Sequence, residues 1–152
     1  MKCIVTAGPT YEPLDGVRRL TNFSSGRLGS ELANFLDARG HDTTLLIGQQ
    51  ATYRGKREAR RVETFTTTAD LRDRLQALAG QPVDALFHAA AVSDFTVGKV
   101  WRRAPRGKLT EVHAGKLPTR EGTLLAELAP TPKIIAELRE WFPHAWLVGW
   151  KY

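Results

Sequence analysis

Cys3-Ile4-Val5-Thr6-Ala7 runs into Gly8-Pro9-Thr10-Tyr11-Glu12-Pro13-Leu14-Asp15-Gly16-Val17-Arg18-Arg19-Leu20-Thr21-Asn22-Phe23-Ser24-Ser25-Gly26-Arg27-Leu28-Gly29, and this stretch decides the fold. The apolar run reads as a strand buried on both faces. Leu28, Leu32, Phe35 and Leu36 then recur at i, i+4, i+7 and i+8, as one face of a helix. The intervening segment therefore joins a first strand to a first helix, which is where an α/β fold binds anions. Ser24 and Ser25 are candidate N-caps. Gly26 and Gly29 leave the first helical turn bare, so its N–H groups and the positive end of the dipole face outward. Arg18, Arg19 and Arg27 add positive charge nearby.

The dinucleotide fingerprint G-x-G-x-x-G is absent, because a long excursion with prolines at 9 and 13 separates Gly8 from Gly26. Loops beyond about 12–15 residues without structure of their own are uncommon in compact domains and are usually functional or disordered. Turn and cap chemistry at Gly8-Pro9-Thr10 and Ser24-Ser25-Gly26 does not account for such a length.

These residues carry a family resemblance. Ala-Gly-Pro-Thr-x-Glu-Pro-Leu-Asp-x-Val-Arg, followed by Thr-Asn-Phe-Ser-Ser-Gly-Arg-Leu-Gly, closely resembles the opening of phosphopantothenoylcysteine synthetase, the ligase of coenzyme A biosynthesis. In bacteria that ligase is often the second half of a bifunctional flavoprotein whose first half is an FMN decarboxylase. Since this chain starts at the synthetase motif, the resemblance implies a separate decarboxylase partner.

Length and composition fit that expectation. The chain has 152 residues, 42% hydrophobic and 25% charged, as expected of one soluble domain. Cys3, the one cysteine, lies within the first strand and reads as an inert buried thiol compatible with a reducing cytoplasm. No apolar stretch approaches ~20 residues, and no signal-like region precedes the first strand, so neither a membrane nor export is expected. The net charge of +6 is spread along the chain without interleaved stacking aromatics, which argues against nucleic acid. The dense basic run 53–61 reads as a solvated loop.

Further along, Thr43-Thr44-Leu45-Leu46-Ile47, Val62-Glu63-Thr64-Phe65, a strand within 83–92 and Ala145-Trp146-Leu147-Val148-Gly149-Trp150 read as four more strands. Thr67 or Thr68 caps a helix with Leu71, Leu75 and Leu78 on one face. Thr131-Pro132 opens another, with Thr as N-cap and Pro at N1. Residues 94–122 show no periodicity and read as a flap, with 123–128 an extra short strand. The alternation predicts a Rossmann-like, doubly wound parallel sheet in three layers, strand order 3-2-1-4-5, with the ligand at the switch point between strands 1 and 4.

The resemblance extends to the other side of that crevice. Ala-Ala-Val-x-Asp-Phe is similar to the family segment lining the CTP site, which assigns Ala90 and Asp94 to the nucleotide beside Gly8. Thr131-Pro132-Lys133-Ile134 resembles the family's Asn-Pro-Asp-Ile nucleotide cover, with a charge reversal at Lys133. Val148-Gly149-Trp150 resembles its Val-Gly-Phe, so Trp150 can stack on the nucleotide. Asn22 matches the asparagine that engages the acyl intermediate. Lys116, with Lys108 as a rival, matches the flap lysine that neutralises triphosphate. Arg18, Ser24, Ser25 and Gly26 would hold the acid's phosphate.

The implied reaction couples 4′-phosphopantothenate to cysteine through an acyl cytidylate, with CTP and Mg2+. No residue binds a resident metal and none serves as a covalent nucleophile. The histidines read as structural or solvated, with no paired spacing for zinc. The family forms homodimers and continues beyond its Val-Gly-Phe strand. This chain ends at Tyr152, so a domain lacking the family's C-terminal part, and a weak nucleotide binder, is expected. The competing readings are a nucleotide-binding module without ligase turnover and an NAD(P)-dependent oxidoreductase. The second is discouraged by Gly48-Gln49-Gln50 where an acidic residue would end strand 2.

Overall fold

Seven of the eight residues of β1 (Lys2–Pro9) are buried, so its alternating side chains feed two cores. The computed structural model, which describes residues 1–113, 115–117 and 122–150, places β1 at the centre of a five-stranded sheet. Its neighbours are β4 (Asp42–Gly48) and β5 (Arg61–Phe65) on one side, β6 (Ala85–Ala91) and β10 (Trp146–Gly149) on the other. The order β10-β6-β1-β4-β5 is parallel throughout and is the order the sequence predicts.

On one face Ile4, Leu46, Phe65 and Leu86 pack with Leu71 and Leu75 of α2 (Thr68–Leu78) and with Ile134, Leu138 and Trp141 of α3 (Ile134–Trp141). On the other, Cys3, Val5, Leu45 and Ile47 pack with Ala33 and Leu36 of α1 (Arg27–Ala38). Each fully buried leucine contributes about 1.5–3 kcal/mol of transfer free energy. Burial pushes the Cys3 thiol up, as expected of an inert core residue. Among the described residues no helix is long and apolar enough to cross a membrane.

Helix ends correct several expectations. Thr67 does cap α2, accepting from the Asp70 N–H at 3.1 Å. For α1, however, neither Ser24 nor Ser25 is the N-cap: Gly26 occupies that position at φ 76°, and no side chain caps the helix. α3 begins at Ile134, with Lys133 as N-cap, so Thr131 and Pro132 precede the helix. The buried face of α1 is Gly29, Ser30, Ala33 and Leu36, whereas Leu28 and Phe35 are exposed. The cause is close approach: a Cβ on Gly29 would lie 2.5 Å from Ala7 Cβ and 2.9 Å from Thr6 O.

Two segments read as loops contain strands. β2 (Tyr11–Pro13) and β3 (Arg19–Thr21) form a hairpin inside the segment between β1 and α1. β7 (Phe95–Arg103), β8 (Leu109–Glu111) and β9 (Thr123–Pro130) form an antiparallel sheet where a flap was expected; residues 114 and 118–121 of that flap lie outside the described residues. β9 is the extra strand read at 123–128, lengthened. The carboxylate of buried Glu12 ties these additions to the main body, accepting from Thr68 N–H at 3.0 Å and from the Thr96 hydroxyl at 3.1 Å.

Candidate functional site

A cleft of about 1150 Å³ opens at the carboxyl ends of β1 and β6, where the strand order reverses. One wall is the segment 22–26 with the first turn of α1. The other comprises residues 88–94, residues 131–135 and Trp150.

The first wall is built for an anion. α1 has no side-chain cap and no acidic residue in its first turn, so the positive end of its dipole is left to a ligand. Ser25 Oγ accepts weakly from the Arg27 N–H at 3.3 Å. The backbone is braced from behind: Tyr53 N–H donates to Ser25 O at 2.9 Å, and Ala51 sits against both Gly8 and Gly26. These two glycines have φ near +75°, and a Cβ on either would lie 2.9 Å or 3.1 Å from Ala51 Cβ. Arg27 lines the cleft, paired to Glu31 at 2.8 Å, while Phe23 is fully exposed at its edge.

The second wall is held by polar contacts among its own loops. Thr131 Oγ1 donates to Ser93 O at 2.5 Å and Thr131 N–H to Asp94 O at 3.0 Å. Ser93 N–H donates to Thr10 Oγ1 at 2.9 Å. Lys133 makes a short ion pair with Asp94 across the exposed mouth. Trp150 contributes an aromatic surface that is 38% exposed.

Asn22 joins the walls. Its Nδ2 donates to Val92 O at 3.1 Å and to Ala91 O at 3.4 Å. This corrects the expectation of a free amide donor: in this conformation the NH2 group is committed to the end of β6, and Oδ1 is the part left for a ligand.

Of the residues singled out from sequence, Asn22, Ser24, Ser25, Gly26, Ala90, Asp94, Thr131, Pro132, Lys133, Ile134 and Trp150 all line this one cleft. Gly8 lies behind it. Arg18 and Lys116 do not line it. The guanidinium of Arg18 is committed to Asp15, with Nε at 3.0 Å from Oδ2, and to Leu117 O at 2.7 Å, so its reading as a phosphate ligand is corrected. Lys116 is exposed on a segment docked against the β2–β3 hairpin, where Gly16 N–H donates to Gly115 O at 2.8 Å and Leu117 N–H to Asp15 Oδ2 at 3.0 Å. Lys108 precedes β8 and is likewise absent from the lining. Sequence reasoning missed Glu31, Ile135 and His88 as cleft residues. For His88 a signal existed: it lies two positions before Ala90 on the same strand, hence on the same face.

Asp15 is the anchor of that docked segment. Its hydrogen bonds from Arg18, then from the Leu117 N–H, hold its carboxyl far below the usual carboxylate range. A carboxylate depressed in the folded state contributes stability above its unfolded pKa, and that stability is lost only as pH falls through the folded one. The Leu117 amide resonance should therefore stay unchanged as pH falls through 4. Asp15→Asn should abolish the docked signal at every pH. Release of the segment near the ordinary aspartate pKa would overturn this assignment.

Among the described residues no group of three or more His, Cys, Asp or Glu side chains could cage a metal. A magnesium ion carried on a triphosphate needs only one or two carboxylates, and Asp94 at the mouth fits that demand.

Comparison with known proteins agrees with this fold. The chain is 33% identical over 150 residues to a coenzyme A biosynthesis bifunctional protein CoaBC of Thermococcus kodakarensis, covering 99% of this chain and 34% of that protein. It thus spans about a third of that relative's length. The DNA/pantothenate metabolism flavoprotein of Streptococcus pneumoniae superposes with a TM-score of 0.81 at 29% identity, over 97% of this chain and 67% of that one. The C-terminal domain of a CoaBC protein superposes at 0.68 and 26% identity, over 96% and 61%. Residues 1–152 match the DNA/pantothenate metabolism flavoprotein C-terminal domain, and the chain belongs to that family.

Proposed function

We propose that the chain carries the phosphopantothenate-cysteine ligase site of coenzyme A biosynthesis, with CTP as the activating nucleotide. The observation supporting this most directly is the two-walled cleft. An uncapped helix N-terminus for a phosphorylated acid faces, across Asn22, a wall with Ala90, Asp94 and Trp150 suited to a nucleotide.

In the first step a carboxylate oxygen of 4′-phosphopantothenate bonds to the α-phosphorus of CTP and pyrophosphate leaves. In the second, the amine of cysteine bonds to the acyl carbon, the acyl–oxygen bond to CMP breaks, and the amine proton passes to solvent. Ser24, Ser25 and Gly26 with the α1 N-terminus bind the acid's phosphate. Asn22 holds the two substrates' walls at one distance, with its Oδ1 left to meet the acyl group. Lys133, the lysine lining the cleft among the described residues, meets the triphosphate in the role first given to Lys116. Asp94 would hold a magnesium ion carried on the triphosphate, and the ion would neutralise charge on the leaving pyrophosphate. A cytoplasmic setting completes the proposal.

Titration calorimetry with CTP, ATP, GTP and NAD in parallel tests it. Magnesium-dependent CTP binding supports the reading; binding of NAD alone overturns it. A second reading, a nucleotide-binding module without ligase turnover, is favoured by the positions of Arg18 and Lys116 outside the cleft. CTP binding without pyrophosphate release in the presence of both other substrates would select it.

A further inference from the structure

His88 is 7% exposed, sits on β6 and lines the floor of the cleft. Its Nδ1 lies 3.0 Å from Thr6 Oγ1, and the same hydroxyl oxygen accepts from the Ala90 N–H at 3.1 Å. Thr6 is fully buried and Ala90 N–H can only donate, so among the described hydrogen bonds Nδ1 is the acceptor available to the hydroxyl proton. With Nδ1 as the acceptor the ring proton resides on Nε2, which has no protein partner among the described hydrogen bonds. On the other flank, His88 pairs in register with Gly149, which carries no side chain. Burial alone lowers the imidazole pKa to about 4, so the ring is neutral at physiological pH.

A neutral donor in this place does not select an anion. The charged groups of the cleft, Arg27, Glu31, Asp94 and Lys133, lie on the α1 turn and at the mouth. Ala90 shares the face of His88 two positions along β6, Trp150 follows its register partner Gly149, and both line the cleft with Ile134, an apolar and aromatic setting suited to a flat, uncharged heterocycle. We propose that His88 is a specificity-determining residue whose Nε2–H, oriented by Thr6, donates to a ring nitrogen or carbonyl oxygen of the bound nucleobase. This rests on the nucleotide reading above and goes beyond it, because that reading gives His88 no role.

The test compares magnesium-loaded CTP with inorganic triphosphate, which has no base. His88→Leu should weaken CTP about tenfold and leave triphosphate unchanged, as expected when a buried acceptor loses its donor. His88→Gln, which keeps an N–H near the Nε2 position, should recover part of the loss. Should these variants fold poorly, nitrogen NMR of the unaltered protein at pH 7 decides. The Nε2–H form should be the single tautomer, and its resonance should move on adding CTP but not triphosphate. An unmoved imidazole in a protein that binds CTP by calorimetry overturns this inference alone, as does equal loss of CTP and triphosphate in His88→Leu. Failure of the unaltered protein to bind CTP overturns the nucleotide reading together with it.

Discussion

Asn22→Asp is expected to lose roughly 10²–10³ in the rate of amide formation, because Oδ1 is the atom left toward the ligand and a carboxylate there repels a developing oxyanion. The structure adds a second reason. The amide nitrogen donates to Val92 O at 3.1 Å and Ala91 O at 3.4 Å, so aspartate would turn a carboxylate oxygen toward two carbonyl oxygens. The segment 22–26 would then part from β6, and the two walls would no longer hold the substrates at reacting distance. Asn22→Ala removes the donor without the repulsion, so it separates the effects. If the side chain only ties the walls, the alanine variant raises KM for acid and nucleotide together with little change in kcat. If the NH2 leaves the carbonyls to meet the acyl intermediate, kcat falls in both variants. Single-turnover release of pyrophosphate and of CMP reads the two chemical steps apart. Both variants turning over like the parent would remove Asn22 from the mechanism.

What the sequence carried, and what it did not, follows from how far each element depends on distant contacts. The inner strands β1, β4 and β6 were legible because their side chains feed cores on two faces, giving short continuous apolar runs such as Cys3-Ile4-Val5 and Leu45-Leu46-Ile47. The Thr67 cap was legible because its partner, the Asp70 N–H, is local. The buried face of α1 was not, because the deciding contact lies across the sheet: only glycine fits against Ala7 at position 29, and that rotates Leu28 and Phe35 outward. The sheet β7–β8–β9 was hidden by a register shift between Val97 and Val100, which breaks the period-two pattern of β7. The β2–β3 hairpin has three residues per strand, too few for a periodic signal, and its turn is fixed by Asp15 accepting from Val17 and Arg18 N–H groups. The cleft itself was largely legible, since the switch-point rule assigns it to strand ends that topology brings together. Arg18 escaped because a basic residue beside an anion loop reads the same whether it faces ligand or, as here, an aspartate that is 1% exposed.

Gly29→Ala should destabilise the protein although helix propensity alone favours the change by about 0.8–1 kcal/mol. The added Cβ would stand 2.5 Å from Ala7 Cβ, 2.9 Å from Thr6 O and 3.2 Å from Ala7 Cα. Two of those three neighbours are backbone atoms of the central strand, which cannot rotate away, so the N-terminal turn of α1 must lift. Overpacking of this kind costs about 1–3 kcal/mol, and a larger residue such as valine costs more. The lift falls on the turn proposed to present its N–H groups to the acid's phosphate, so acid affinity should drop further than nucleotide affinity. Gly80→Ala is the control: Gly80 follows α2, has nothing within 4 Å of an added Cβ, and is free of positive φ. Substituting it should leave stability unchanged or raise it, by narrowing the unfolded ensemble. Urea denaturation of the two variants, with binding of inorganic phosphate measured beside CTP, supplies the comparison. If Gly29→Ala is as stable as Gly80→Ala, α1 does not lie as close to β1 as described, and the anion-binding wall built on that approach loses its support.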